Sequence, residues 1–208
     1  MLKYLLFDLD NTLYSCAFGL EDNVRRRIKE FCAVFLGVKP EEVWKRRFEQ
    51  GSKYGTTLEW LMNEKGFTDV EAYLAAVHPT DEADNLPPDP RLKAFLESIP
   101  IPKAILTNSP QEHADRILDK LGFIGLFTHV FDIRQSGFKG KPQPDVFNNA
   151  LNTLGVLPAD VLFIDDHPQY VEGFIAMGGK GLLLDEKNVF DDYPHSKIRE
   201  LEELGRYI

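Results

Sequence analysis

The run from Tyr4 to Leu9 is short and apolar, the mark of a strand buried on both faces. The texture then changes. Val24, Ile28, Phe31 and Phe35 recur at helical spacing with Arg25, Arg26, Arg27 and Lys29 between them, which predicts an amphipathic helix over roughly 20–36. Pro40-Glu41-Glu42 opens a second helix through about Gln50, with proline in its first turn. Two more helical segments, 57–65 and 69–77, follow without a convincing strand, and Leu86-Pro87-Pro88-Asp89-Pro90 reads as a linker.

Beyond that linker, strand and helix alternate. Strands are predicted at 104–107, 130–133, 161–164 and 181–184, and helices at 111–121, 144–154 and 170–177. Such alternation implies right-handed crossovers and a parallel sheet. The first strand needs that sheet to be buried, so the helical stretch is an insertion after it. The expected fold is α/β: a Rossmann-like parallel core from 1–13 plus 90–208, with a small all-helical cap at 14–89.

Composition narrows the functions available. The chain has 208 residues, with 24 basic against 33 acidic side chains and a net charge of −9. No basic patch stands out, which argues against a nucleic-acid polymer or an anionic membrane as partner. The apolar start is cut short by Asp8 and Asp10, so neither a secretory core nor a membrane span is expected. Two cysteines, Cys16 and Cys32, sit among apolar residues and read as buried free thiols in a cytoplasmic protein.

Open parallel sheets bind ligands beyond the carboxyl ends of their strands. Asp8 and Asp10 close the first strand, Thr107 and Asn108 the second, Lys141 follows the third, and Asp165-Asp166 close the fourth. Each alone has a bland explanation as a turn, a helix cap or a surface lysine. Gly137-Phe138-Lys139-Gly140-Lys141 lacks the spacing of a phosphate loop, and Pro142 follows it. Together, however, the carboxylates would repel one another in one crevice unless a cation were present. Oxygen-only ligands of this kind suit magnesium.

These segments resemble the motifs of the haloacid dehalogenase-like phosphatases. Phe7-Asp8-Leu9-Asp10-Asn11-Thr12-Leu13 is similar to the first, Thr107 to the second, Lys141 in Gly140-Lys141-Pro142 to the third, and Phe163-Ile164-Asp165-Asp166 to the fourth. Tyr54-Gly55-Thr56-Thr57-Leu58, Leu106-Thr107-Asn108 and His113-Ala114 further resemble the pyrimidine 5′-nucleotidase subfamily. The sequence departs from a common fourth-motif form at His167, for which a capping or solvent-facing role is expected.

The resemblance implies a phosphoric monoester hydrolase with Asp8 as nucleophile, Asp10 as acid and base, and Thr107 and Lys141 neutralising the phosphoryl group. Magnesium would be held by Asp8, the backbone carbonyl of Asp10 and the Asp165-Asp166 pair, with Asp166 the favoured direct ligand. Asn108, Tyr54 and Thr56 are the candidate substrate contacts, and Tyr14, Phe18, Thr57 and Trp60 are further cap candidates. The expected substrate is a small phosphorylated metabolite, a pyrimidine nucleoside monophosphate first. A sugar-phosphate or phosphoglycolate phosphatase, a phosphomutase and a non-catalytic binding module stay open, as does the oligomeric state.

Overall fold

The computed structural model describes residues 2–51 and 53–208; Met1, the first residue of the expected core, and Ser52, within the expected cap, lie outside them. Six parallel-paired strands form the sheet: β1 (Tyr4–Phe7), β2 (Lys103–Leu106), β3 (His129–Phe131), β4 (Val161–Asp165), β5 (Lys180–Leu184) and β6 (Lys197–Ile198). Their order across the sheet is β3-β2-β1-β4-β5-β6, which puts β1 and β4 side by side at the centre. The order reverses direction at β1, the switch point where such sheets open a crevice.

Strand pleating sorts the central side chains to two faces. Leu5 and Phe7 of β1 pack with Leu162 and Ile164 of β4 in one core cluster, while Leu6 joins Val161 and Phe163 in another on the opposite face. Both faces are buried, which is why β1 and β4 read as continuous apolar runs. The helices α5 (Pro90–Ser98), α6 (Gln111–Leu121), α7 (Pro144–Leu154) and α8 (Pro168–Ala176) accompany these strands.

The segment between β1 and α5 is helical among the described residues, as its periodicity implies. It holds α1 (Leu20–Leu36), α2 (Pro40–Gly51), α3 (Thr57–Lys65) and α4 (Val70–Val77). These helices enclose a third cluster around Cys32, Val43, Leu58, Trp60, Leu61 and Tyr73. Gly37, at φ 62°, ends α1 in the left-handed conformation that glycine adopts without steric cost. No helix is long and apolar enough to cross a membrane among the described residues.

Three differences from expectation have local causes. The third strand stops at Phe131 rather than 133, because Asp132 turns the chain: its carboxylate accepts from the backbone N–H of Gln111 and of Gln135, both at 3.1 Å. The linker reading hid the start of α5, where Asp89 caps the helix by accepting from Leu92 N at 2.9 Å and Pro90 takes the first position. The two-residue β6 is too short to leave a periodic signal.

The face between β4, α7 and α8 rests on an aromatic trio. Phe163 meets Phe147 edge-on with centroids 5.4 Å apart and Phe174 at a tilt, also 5.4 Å. All three are fully buried. Phe163→Ala is expected to lower the unfolding free energy by about 3–5 kcal/mol, as large-to-small changes in tight cores do. Guanidinium unfolding measures this, and a loss below about 1 kcal/mol would mean the neighbours close the cavity.

Candidate active site

Because the strands run parallel, the chain leaves β1, β2 and β4 at the same edge of the sheet. Asp8 follows β1, Thr107 follows β2 and Asp165 is the last residue of β4. Lys141, buried to 1% exposure, reaches between them: its Nζ lies 2.7 Å from Asp8 Oδ1 and 2.7 Å from Asp165 Oδ2. Its backbone N–H donates to Asn108 Oδ1 at 2.9 Å, so the residue after Thr107 fixes the loop that carries the lysine. The Lys141 ammonium also stands 5.1 Å from the centre of the Tyr170 ring and 5.4 Å from that of Phe163.

One lysine faces three carboxylates here, since Asp166 joins Asp8 and Asp165 with ligand oxygens within 4.8 Å of one another. Burial and the neighbouring Asp165 charge raise the Asp8 carboxyl well above its ordinary range, although Lys141 opposes this. Burial, then the Asp165 charge, push Asp166 up to about 8. Burial works against the Lys141 ammonium, yet Asp165 and Asp8 outweigh it and hold its pKa above normal. The crevice is short of positive charge, and its free donors are oxygens. That fits a hard divalent cation such as magnesium.

Within the acidic pair the partners differ. Both oxygens of Asp165 are taken, one by Lys141 and the other by the backbone N–H of His167 at 2.8 Å. Asp166 has only a 3.5 Å contact from Asn11 Nδ2, which leaves it more acceptor capacity.

Asp10 sits in different surroundings. Its Oδ1 accepts from the Tyr14 hydroxyl at 2.5 Å and lies 2.7 Å from His113 Nε2, while its Oδ2 accepts from the Ser109 hydroxyl at 2.8 Å. Burial would raise its pKa, but the charge and hydrogen bond of His113 and the bond from Tyr14 outweigh burial and hold it well below normal. His113 is shifted in turn: burial lowers its pKa, but Asp10 and Glu82 overcome this and raise it to about 10.

A cavity of about 840 Å³ opens over these groups. Asp8, Asp10, Thr107, Asn108, Lys141 and Asp166 all line it. Asp165 lies behind Lys141 and is fully buried. Thr56 reaches the cavity from the helical segment, though its hydroxyl is occupied in capping α3 by accepting from Glu59 N at 3.1 Å. Tyr54 does not line the cavity: its hydroxyl donates to Glu64 at 2.7 Å and Lys53 lies over its ring. Trp60 is fully buried in the helical cluster, and Phe18 is 45% exposed outside the cavity. His167 takes the N-cap position of α8, without a side-chain cap bond, and stacks on Tyr170 with centroids 4.3 Å apart. Cys32 is buried as expected, whereas Cys16 is only half-buried and lines the cavity.

Sequence reasoning gave Ser109 and Glu82 no role in the site, and took His113 only as part of the subfamily resemblance. The one available signal was a histidine on the apolar face of α6, next to Ala114 and one turn before Ile117.

A parallel α/β sheet with an acidic crevice at its carboxyl edge, overlain by a helical segment, defines the class of protein. The pattern of the haloacid dehalogenase-like hydrolases matches residues 2–178, and the chain belongs to that family. It is 27% identical over 190 residues to phosphate metabolism protein 8 of Saccharomyces cerevisiae, covering 85% of this chain and 59% of that protein. It is 28% identical over 184 residues to hexitol phosphatase A of Escherichia coli, covering 85% of this chain and 80% of the relative. Among solved structures it resembles a HAD phosphatase from Thermococcus onnurineus with a TM-score of 0.65 and 19% identity, over 99% of this chain and 97% of that one.

The helical segment meets the Lys141 loop at close range. Glu59 of α3 accepts from Gly55 N at 3.0 Å and Gly140 N at 3.4 Å, and its two oxygens lie 2.6 and 2.7 Å from Gln143 Nε2. A Cβ on Gly55 would stand 2.3 Å from the Gly140 carbonyl oxygen. Backbone on both sides leaves no flexible atom to yield. Gly55→Ala is therefore expected to cost about 1–3 kcal/mol, the range for overpacked sites. Thermal unfolding checks it, and an unchanged midpoint would show that the two loops can separate freely.

Proposed function

We propose that this protein is a magnesium-dependent phosphatase of small phosphate monoesters, working through an aspartyl phosphate on Asp8. The observation that carries the reading is Lys141 locked between Asp8 and Asp165, with Asp166 beside them and Asp10 in a separate set of hydrogen bonds. Residues 14–89 act as the cap and the remainder as the core.

A carboxylate oxygen of Asp8 attacks phosphorus while the bond to the leaving oxygen breaks. Lys141 and Thr107 meet the phosphoryl oxygens with a positive charge and a hydroxyl. Asp10 protonates the leaving oxygen, then takes a proton from the water that releases phosphate and restores Asp8. The arriving phosphate dianion raises the pKa of Asp10, opposing the donors that depress it in the free protein. Asp8, Asp166 and the backbone carbonyl of Asp10 would hold magnesium, which would neutralise charge on the transferring group; Asp165 orients Lys141. A dehalogenase would have no use for the acid at position 10 or for the Asp165-Asp166 pair.

For the leaving group, a nucleoside is favoured, pyrimidine before purine. Val24, Ile28, Trp44, Tyr73, Leu74 and Val77 line the cavity from the helical segment, with Glu21, Asp22 and Arg25 beside them. The apolar and aromatic part of that lining favours a flat base over a polyol. The similarity to the E. coli hexitol phosphatase favours the second reading, a sugar-phosphate substrate.

Asp8→Asn should abolish turnover with the fold intact, as read by circular dichroism and phosphate release. Asp10→Asn should slow hydrolysis by ~10²–10⁴-fold, the usual contribution of a general acid. Wild-type rates in Asp8→Asn would disprove the covalent route.

Chelation should silence the protein reversibly, with magnesium restoring activity and calcium doing so poorly because of its larger, looser coordination. Full activity in metal-free protein would remove the magnesium assignment. Uridine and cytidine monophosphates, assayed against hexose phosphates and phosphoglycolate by kcat/KM, decide the substrate. A preference of more than about tenfold, or 1.4 kcal/mol, for either of the latter would remove the nucleotidase reading.

A further inference from the structure

His113 is fully buried in the first turn of α6, held between two carboxylates. Its Nε2 lies 2.7 Å from Asp10 Oδ1 and its Nδ1 lies 2.7 Å from Glu82 Oε1. Carboxylates against both ring nitrogens call for a proton on each, so the ring is an imidazolium. The Nδ1 side is an ion pair, with the N–H off the line to the oxygen. Glu82 belongs to the segment returning from α4 to α5, and it is well held. Arg116 Nη2 lies 2.5 Å away, His78 Nδ1 3.1 Å and Arg27 Nη1 4.0 Å.

Two simpler accounts fall short. His78, Glu82 and His113 have the spacing of a metal site, but the Arg116 guanidinium already occupies Glu82 and His113 Nε2 already faces Asp10. A buried charge cluster that merely seats the returning segment on α6 would need only Glu82, Arg116 and His78. It would not need a chain of contacts ending on the one carboxylate that the reaction uses for proton transfer.

We propose that His113 is a positioning residue for Asp10, oriented by Glu82 and assisted by Tyr14 and Ser109. The inference rests on the phosphatase reading above. A carboxyl group on a two-torsion side chain must present one oxygen to the leaving atom, and a misplacement of ~1 Å can cost 10²-fold in rate. The contacts from His113, Tyr14 and Ser109 reach both oxygens of Asp10 and so fix its rotation. Because Glu82 lies where the chain leaves the helical segment, the seat of that segment bears directly on the acid.

The test uses the purified full chain with magnesium and two substrate classes. p-Nitrophenyl phosphate has a leaving group that needs little help from an acid, whereas an alkyl phosphate must have its departing oxygen protonated. The alkyl substrate is the one that wild-type protein hydrolyses fastest. kcat/KM reports events up to phosphoryl transfer, so it isolates the acid step. His113→Phe should lower kcat/KM for the alkyl phosphate by about 10²-fold and for p-nitrophenyl phosphate by far less. His113→Gln, which keeps a donor that can reach Asp10, should recover most of the loss.

Equal losses on both substrates, or no loss, in a wild-type-active background would overturn the inference while leaving the phosphatase reading intact. If wild-type protein hydrolyses neither, that reading fails and the inference with it. Should His113→Phe not fold, as judged by circular dichroism, Glu82→Gln takes its place. It should show the same selective loss at smaller size, and a uniform loss there overturns the inference.

Discussion

Lys141 is the residue on which the rest of the crevice depends. Three carboxylates at the end of a buried parallel sheet repel one another, and two of them, Asp8 and Asp165, are buried from the solvent that would screen them. Nζ at 2.7 Å from both Asp8 and Asp165 ties the ends of the two central strands to one cation. The lysine is held there by contacts of several kinds: the Asn108 side chain on its backbone, the Tyr170 and Phe163 rings beside its ammonium, and Gly140 docked under Thr56 and Gly55. Burial first, and then the excess of carboxylates that survives this arrangement, raise the carboxyls of Asp8 and Asp166.

Asp10, only two residues from Asp8, is under the opposite influence. Asp8 directly follows β1, whereas Asp10 opens the turn beyond it. Asn11, at φ 54°, takes the left-handed conformation that asparagine tolerates better than most residues. Around Asp8, burial and then the Asp165 charge raise the pKa; around Asp10, burial acts the same way but the charge and hydrogen bond of His113 and the bond from Tyr14 overcome it, and the pKa falls. Environments that push neighbouring carboxyls apart in this way are how two identical functional groups acquire different roles.

Much of this was legible in the sequence because it follows from chain geometry. Short apolar runs mark strands buried on both faces, parallel pairing brings their ends to one edge, and Asp8, Asp10, Thr107, Asp165 and Asp166 stand at or just beyond those ends, with Lys141 on the connection from β3 to α7. The helical segment after β1 was legible from periodicity. What escaped was set by long-range contact. Tyr54 sits beside a flexible glycine in sequence, but Glu64 and Lys53 draw it away from the cavity. Tyr14, an attractive stacking surface on paper, spends its hydroxyl on Asp10. Glu82 has one local partner, His78 four positions earlier, but Arg116 and His113 lie more than thirty positions away. A buried charge cluster assembled from two segments leaves no periodic trace in either.

Two of the attachments of the helical segment to the sheet share one chemistry. Glu59 receives the backbone N–H of Gly140 and the side chain of Gln143, on either side of Lys141. Glu82 receives Arg116 and His113, the latter in contact with Asp10. Each is a carboxylate from the inserted segment, bonded to the core within a residue or two of a candidate catalytic group or directly beside one. An apolar seam joins the layers as well, with Leu20, Ala83 and Leu86 in one cluster with Ala114 and Ile117, but its strength is indifferent to what happens at the sheet edge. Ionic and hydrogen-bonded attachments are directional, and in a site sheltered from water they are felt at the neighbouring charges. Any displacement of the helices that breaks these contacts must therefore also change the surroundings of Lys141 and Asp10. In this fold, the contacts that seat the helical segment also shape the surroundings of the candidate catalytic groups.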